Sequence, residues 1–189
     1  MLQQEFPGAD LFVRTLDAAV SLRDETAITD ALRSALCKLI REQAVKLPSA
    51  VYDAVPEHYA RREIYRSEEL GYSVIAMTWG PGQGTPLHDH SGLWCVEGVW
   101  KGALEIVQYD LVEQHGERLR FRPVGSIQAG AGSAGSLIPP HEYHTIRNPT
   151  SDETAVSVHI YSRPMTCCGV FRPLGEGWFE RGTRQLGLD

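Results

Sequence analysis

A neutral imidazole is among the commonest protein ligands for a metal ion. Two histidines stand one residue apart in Gly82-Gln83-Gly84-Thr85-Pro86-Leu87-His88-Asp89-His90. On an extended strand alternate side chains share a face, so His88 and His90 can reach one ion while Asp89 points elsewhere. The pair needs a third ligand. About fifty residues on, Pro139-Pro140-His141-Glu142-Tyr143-His144-Thr145-Ile146-Arg147-Asn148 supplies the best candidates. Both segments sit among short strand-like runs and glycine turns. A mononuclear metal site inside a small β-barrel is the reading.

Three neutral imidazoles leave a divalent ion its full charge, whereas a carboxylate would cancel part of it, so such a site attracts an anionic ligand such as a thiolate. Three ligands on one face leave positions open. An Fe(II) ion so held can take a chelating substrate and dioxygen together, and the same ligands suit zinc with a bound hydroxide. Ser157, His159 and Tyr161 alternate along one run and share a face, where the imidazole can orient the phenol; any three polar residues lining a barrel and satisfying one another would look the same. Glu97 shares strand parity with Cys95 and is the nearby carboxylate that could displace the three-histidine arrangement. Arg61-Arg62-Glu63 reads either as a binding element or as a solvated face.

The spacing Gly82, five residues, His88-x-His90, four residues, Cys95, six residues, Gly102 resembles the first motif of the cupin superfamily, with Cys95 where cupins usually carry glutamate. Pro139-x-His141-x-x-His144-x-x-x-Asn148 resembles the second, with His141 replacing the usual glycine. The cysteine is itself informative. It resembles the cysteine dioxygenase family, iron enzymes of the cupin fold that lack the glutamate ligand, and the resemblance runs from about Tyr59 to Phe171.

That resemblance implies Fe(II) held by His88, His90 and His144. It implies a Cys95–Tyr161 pair that eukaryotic members join by a thioether, and a relay through Ser157, His159 and Tyr161. Tyr59 and Arg61 match the residues that hold the substrate carboxylate, and Cys168 a pocket cysteine. The implied activity is oxidation of L-cysteine by O2 to cysteine sulfinic acid, both oxygen atoms going to sulfur. Where the family often has Ser-Pro-Pro after the tyrosine, this chain has Ser162-Arg163-Pro164, which removes the proline on which a cis peptide bond there depends. The rival is a dioxygenase for 3-mercaptopropionate or another small thiol, whose members usually carry glutamine at the Arg61 position and glycine at that of Cys95. From another class, the rival is a non-enzymatic cupin that binds a metal or small ligand.

The elements that must position these residues are legible in part. Phe12, Leu16, Ala19 and Val20 fall at helical spacing from Ala9 to about Leu22, and a second helix starts near Asp24, a suitable N-cap, with Ile28, Leu32, Leu36, Leu39 and Ile40 on one stripe. Cys37 packs there as a small apolar residue. Pro48 and Pro56 bracket a turn-rich passage with room for one helical turn. Strands are predicted over Tyr72 to Trp79, Trp94 to Trp100, Ala103 to Leu111, Leu119 to Pro123, Leu137-Ile138 and Ala155 to Tyr161, with Gly125 to Ser136 as turn material. The expected fold is mainly β with N-terminal helices, a cupin or double-stranded β-helix jelly-roll barrel. One domain over 1–189 is expected, helical over 1–58, barrel over 59–171, and a tail over 172–189 that the pattern leaves unassigned.

Composition narrows the partners. A net charge of −6 disfavours nucleic acid and anionic membranes. The start of the chain lacks the basic and apolar regions of a signal peptide, and no apolar run is long enough to span a bilayer, so a cytoplasmic location is expected. Four cysteines, Cys37, Cys95, Cys167 and Cys168, are too few and irregular for a disulfide framework. The expected partners are a small thiol and O2. The oligomeric state is left open, a monomer included.

Overall fold

The computed structural model describes residues 2 and 4–189. Two helices lead, α1 over Ala9–Val20 and α2 over Glu25–Arg41, followed by a single 3-10 turn at Ser49–Tyr52. Asp24 caps α2 by accepting from the Ala27 N–H at 2.9 Å. The apolar stripes of both helices, Phe12 and Leu16 on α1 and Leu32, Leu36 and Leu39 on α2, are buried against the sheet.

Eleven strands follow: β1 Ala60–Arg66, β2 Ser73–Trp79, β3 Leu87–His88, β4 Cys95–Lys101, β5 Ala103–His115, β6 Arg118–Gly130, β7 Ala134–Leu137, β8 His144–Arg147, β9 Ala155–Tyr161, β10 Cys167–Gly175 and β11 Trp178–Gln185. They form a five-stranded sheet of order β1-β2-β9-β4-β7 and a ring of order β10-β11-β6-β5-β8-β3 that closes through the β3–β10 pairing. This is the double-stranded β-helix expected. β2 and β9 are buried on both faces, covered by the helices on one side and the barrel interior on the other. Helix α2 packs on β4 and β7, and Gly98 makes the approach possible: a Cβ there would lie 3.1 Å from the Leu36 Cδ1.

Two expectations change. Gly125 to Ser136 is mostly strand rather than turn, because β6 runs on to Gly130 as the partner of a long β5 and β7 begins at Ala134. Sheet pairing also continues past Phe171, where β10 and β11 form an antiparallel hairpin that reaches Gln185. The one cis peptide bond among the described residues is Pro139–Pro140, ahead of β8, and not after Tyr161. No helix among the described residues is long and apolar enough to cross a membrane.

Candidate metal centre

β3 and β8 pair so that His88 lies directly opposite His144, and His90 follows just beyond the end of β3. The donor atoms of His88, His90 and His144 all lie within 4.8 Å of one another, and among the described residues they are the group of three or more donors that meets this condition. The His88 Nδ1 lies 3.1 Å from the Pro86 carbonyl and the His144 Nδ1 2.8 Å from that of Glu142. A ring nitrogen so placed donates its N–H to the carbonyl, which leaves Nε2 as the free lone pair. The Nε2 of His144 is buried and has no hydrogen-bond partner. Burial holds all three imidazoles below the usual histidine range, and mutual repulsion lowers His90 and His144 further. Neutral, clustered imidazoles, with an orphaned nitrogen on His90 and on His144, fit a divalent transition metal.

The segment that carries the first two histidines is anchored from below. Asp89 points away from the cluster and accepts from the Gly169 N–H at 2.7 Å and the Ser91 N–H at 3.0 Å, while its own N–H donates to the Gly169 carbonyl at 3.0 Å. Arg181 on β11 adds a contact to the same carboxylate at 3.2 Å. Beyond β8, the buried Asn148 donates to the carbonyls of Trp79, Gly80 and Glu153, tying the end of β8 to that of β2.

The facing sheet supplies the other walls. Cys95 on β4 lies opposite Tyr161 on β9, and Glu97 lies opposite His159. Burial holds both the Cys95 thiol and the Tyr161 phenol well above their usual ranges. Trp79 donates to the Ser157 Oγ at 2.8 Å, which lies 2.8 Å from the His159 Nε2. The His159 and Tyr161 rings stack with centroids 6.1 Å apart, and the His159 Nδ1, which has no hydrogen-bond partner, faces the Glu97 Oε2 at 3.4 Å. Ser157 takes one ring nitrogen of His159, and Glu97 is paired directly with His159 across β4 and β9. Glu97 therefore competes for the imidazole. Burial pushes its carboxyl up to about 7 and holds His159 down at about 3. The Oε2 of Glu97 also lies 3.9 Å from the His144 Nε2, but the carboxylate stands outside the three-histidine group.

Above the histidines opens a pocket lined by Tyr59, Arg61, Tyr161, Cys168, Arg184 and Leu186 among others. Arg61 is only 6% exposed, so it is no solvated face. Its backbone N–H donates to Asp189 at 2.8 Å and its Nη1 to the Gly187 carbonyl at 2.9 Å. Tyr59 stacks on Trp79 with ring centroids 4.6 Å apart. Burial raises the Cys168 thiol to about 11. His58, His115 and His141 stand apart: His58 pairs with Asp189 and His115 with Glu113 at the surface, and His141 is exposed in the turn before β8. Arg184 escaped the sequence reading because it lies in the unassigned tail; its place opposite Cys168 on β11 brings it to the pocket.

A double-stranded β-helix with histidines from two paired strands turned into its interior defines a cupin with a triad that could hold a metal. The family model described as cysteine dioxygenase type I matches residues 44–173, and the chain belongs to that family. It is 23% identical over 130 residues to the cysteine dioxygenase type 1 of Rattus norvegicus and to that of Homo sapiens, covering 65% of this chain and 60% of each relative. The cysteine dioxygenase type 1 of Danio rerio is 25% identical over 100 residues, 53% of this chain and 49% of that one. The chain thus spans about half to three fifths of the length of the curated relatives it matches. Among solved structures, a protein with a double-stranded β-helix domain from Klebsiella pneumoniae covers 87% of this chain and 97% of its own at 15% identity, with a TM-score of 0.48.

Proposed function

We propose that the protein is an Fe(II)-dependent thiol dioxygenase that oxidises L-cysteine to cysteine sulfinic acid. The observation that carries this reading is that the three histidines open onto the same pocket as Arg61, Tyr59 and Tyr161. His88, His90 and His144 would hold the iron, which when bound supplies adjacent positions for a thiolate and for dioxygen together with the redox chemistry that joins them. Arg61, buried and turned into the pocket, forms charge-assisted hydrogen bonds to the substrate carboxylate, and the Tyr59 phenol donates beside it. Tyr161 keeps its proton, as its burial dictates, and presents an O–H donor to the reacting groups. His159, held by Ser157, limits where that phenol can turn. Cys168 forms the pocket wall on the β10 side.

We also propose that Cys95 and Tyr161, opposed across β4 and β9, join as a thioether: the thiol S–H and one ring C–H break, the C–S bond forms, and dioxygen takes up the two hydrogens as hydrogen peroxide. The signature is a mass lower by a pair of hydrogens, absent in Cys95→Ala. Four free cysteines suit a reducing compartment such as the cytoplasm.

Oxygen uptake by the iron-loaded protein against L-cysteine, 3-mercaptopropionate and cysteamine tests the reading. Uptake with L-cysteine is expected, with single alanine variants of His88, His90 and His144 losing both iron and activity while His141→Ala keeps its iron. Full iron loading with no uptake for any thiol would leave a non-enzymatic binding cupin.

A further inference from the structure

The barrel interior has a second opening, which the proposed chemistry leaves idle. A cleft of about 140 Å3 runs inward between β5, β6 and β7 as far as Glu97 and His159. The strand register builds its walls. Leu104 pairs with Ala129, and Ile106 with both Ile127 and Ile146, so these five side chains share one face and line the cleft with hydrocarbon. Ile127 is half exposed at the mouth. Gly135 keeps the way in clear: it pairs with Glu97 across β4 and β7, so a side chain there would point into the cleft, and a Cβ meets no atom within 4 Å.

The cleft ends close to the candidate metal centre. It shares Ile146 and His159 with the pocket above the histidines, and the Glu97 Oε2 at its inner end lies 3.9 Å from the His144 Nε2. Charge separates the two openings. The upper pocket presents Arg61 and Arg184, whereas among the described residues no lysine or arginine lines the cleft, and the acid in its wall, Glu97, offers an anion no counter-charge. An anionic thiol is directed to the upper pocket. Dioxygen is small, uncharged and apolar; such solutes leave water for apolar space, and an apolar cavity of roughly 150 Å3 binds xenon. A thiol held by Arg61 over the histidines fills the upper pocket and leaves the cleft open behind it. Resting on the thiol dioxygenase reading, we infer that the cleft admits dioxygen, so that the two substrates reach the histidines from different sides. The thiol passes Arg61, and dioxygen passes between Ile106, Leu104 and Gly135.

Gly135 provides the test, because it stands outside the proposed catalytic and binding residues. Gly135→Ala, Gly135→Val and Gly135→Leu add bulk to the cleft in steps. For the iron-loaded protein, kcat/KM for dioxygen at saturating L-cysteine is expected to fall along the series, by about tenfold in Gly135→Leu, a barrier higher by about 1.4 kcal/mol. Over the same series kcat/KM for L-cysteine at high dioxygen should hold its wild-type value. A second arm needs no turnover: crystals under xenon pressure should show xenon among Leu104, Ile106 and Ile146 in the wild type and none there in Gly135→Leu. Absence of xenon from the wild-type cleft, an unchanged dioxygen term in a variant that has lost its xenon, or an equal fall in both kinetic terms would overturn the inference, while L-cysteine turnover left the broader reading standing. No oxygen uptake from any thiol by the iron-loaded wild type would overturn the broader reading and the inference with it, before any variant is made.

Discussion

Arg61 and Glu97 are the two charged side chains whose burial has the sharpest consequences. With Arg61 6% exposed and one of its donors engaged by Gly187, the guanidinium is held in one place before any ligand arrives. Arg61→Gln keeps a donor and removes the charge, and charge-assisted contacts of this kind contribute roughly 1.5–3 kcal/mol. L-cysteine should therefore lose about ten- to a hundredfold in kcat/KM, and cysteamine, which has no carboxylate, less. An unchanged ratio of the two in oxygen-uptake assays would remove Arg61 from the carboxylate site. Glu97 answers to pH. Its folded value of about 7 lies above the ordinary 4.5, so between those limits the folded chain keeps a proton that the unfolded chain has released. The contribution of Glu97 itself, up to about 3 kcal/mol, should thus be lost as pH rises through this window, in opposition to the neutral imidazoles of His88, His90, His144 and His159, whose lowered values make stability rise over the same range. Glu97→Gln should remove that loss, so that in urea titrations of metal-free protein the stability of the variant relative to wild type rises from pH 5 to pH 8; a constant difference between the two would sink the assignment. A bound cation favours the carboxylate, so metal loading should shrink the difference.

Among the elements, the short connection between β3 and β10 does most to fix the histidines. Gly169 tolerates no side chain, since a Cβ would lie 2.3 Å from the Asp89 Oδ2. Gly169→Ala must expel that carboxylate, break its hydrogen bond to the Gly169 N–H and shift the His88–His90 segment, at a cost of about 2 kcal/mol or more. A lower melting temperature together with weaker metal retention against a chelator is expected; lowered stability with unchanged retention would show that Asp89 does not position the ligands. The elements also show what a sequence can reveal. Strand β9 was readable because Ser157, His159 and Tyr161 alternate with Val156, Val158 and Ile160 under strict burial, and α2 because its stripe and Asp24 cap are both local. The second half of β6 was not, because Gly125, Ser126, Ile127 and Gln128 are exposed and take their pairing from β5 rather than from any apolar face of their own. The β10–β11 hairpin, rich in arginine, glutamate and glycine, hides for the same reason, and Arg184 hides with it. Glu97 was legible by parity alone, but its approach to His159 depends on the β4–β9 register, which is set by contacts far apart in sequence.

At the scale of the whole molecule, the centre straddles both sheets: β3 and β8 carry His88 and His144, while β4 and β9 bring Cys95, Glu97, His159 and Tyr161 across from the other side. The three histidines come together only where β3 and β8 pair in the closed ring, so metal binding is linked to folding and should stabilise by about 4 kcal/mol at a thousandfold excess of free ion over its dissociation constant. A rise of several degrees in melting temperature on iron or cobalt loading checks this; no rise would mean that the histidines do not bind the ion in the folded state. The same architecture gives the ion a separate way out. β3 is a strand of two residues, held by one register pair to β8 and two to β10. Such a short segment can open while both sheets stay intact. Release of the metal is then a kinetic event of its own: its rate should level off at high chelator concentration at the opening rate of residues 87–90, well above the rate of global unfolding, and Gly169→Ala should raise that ceiling.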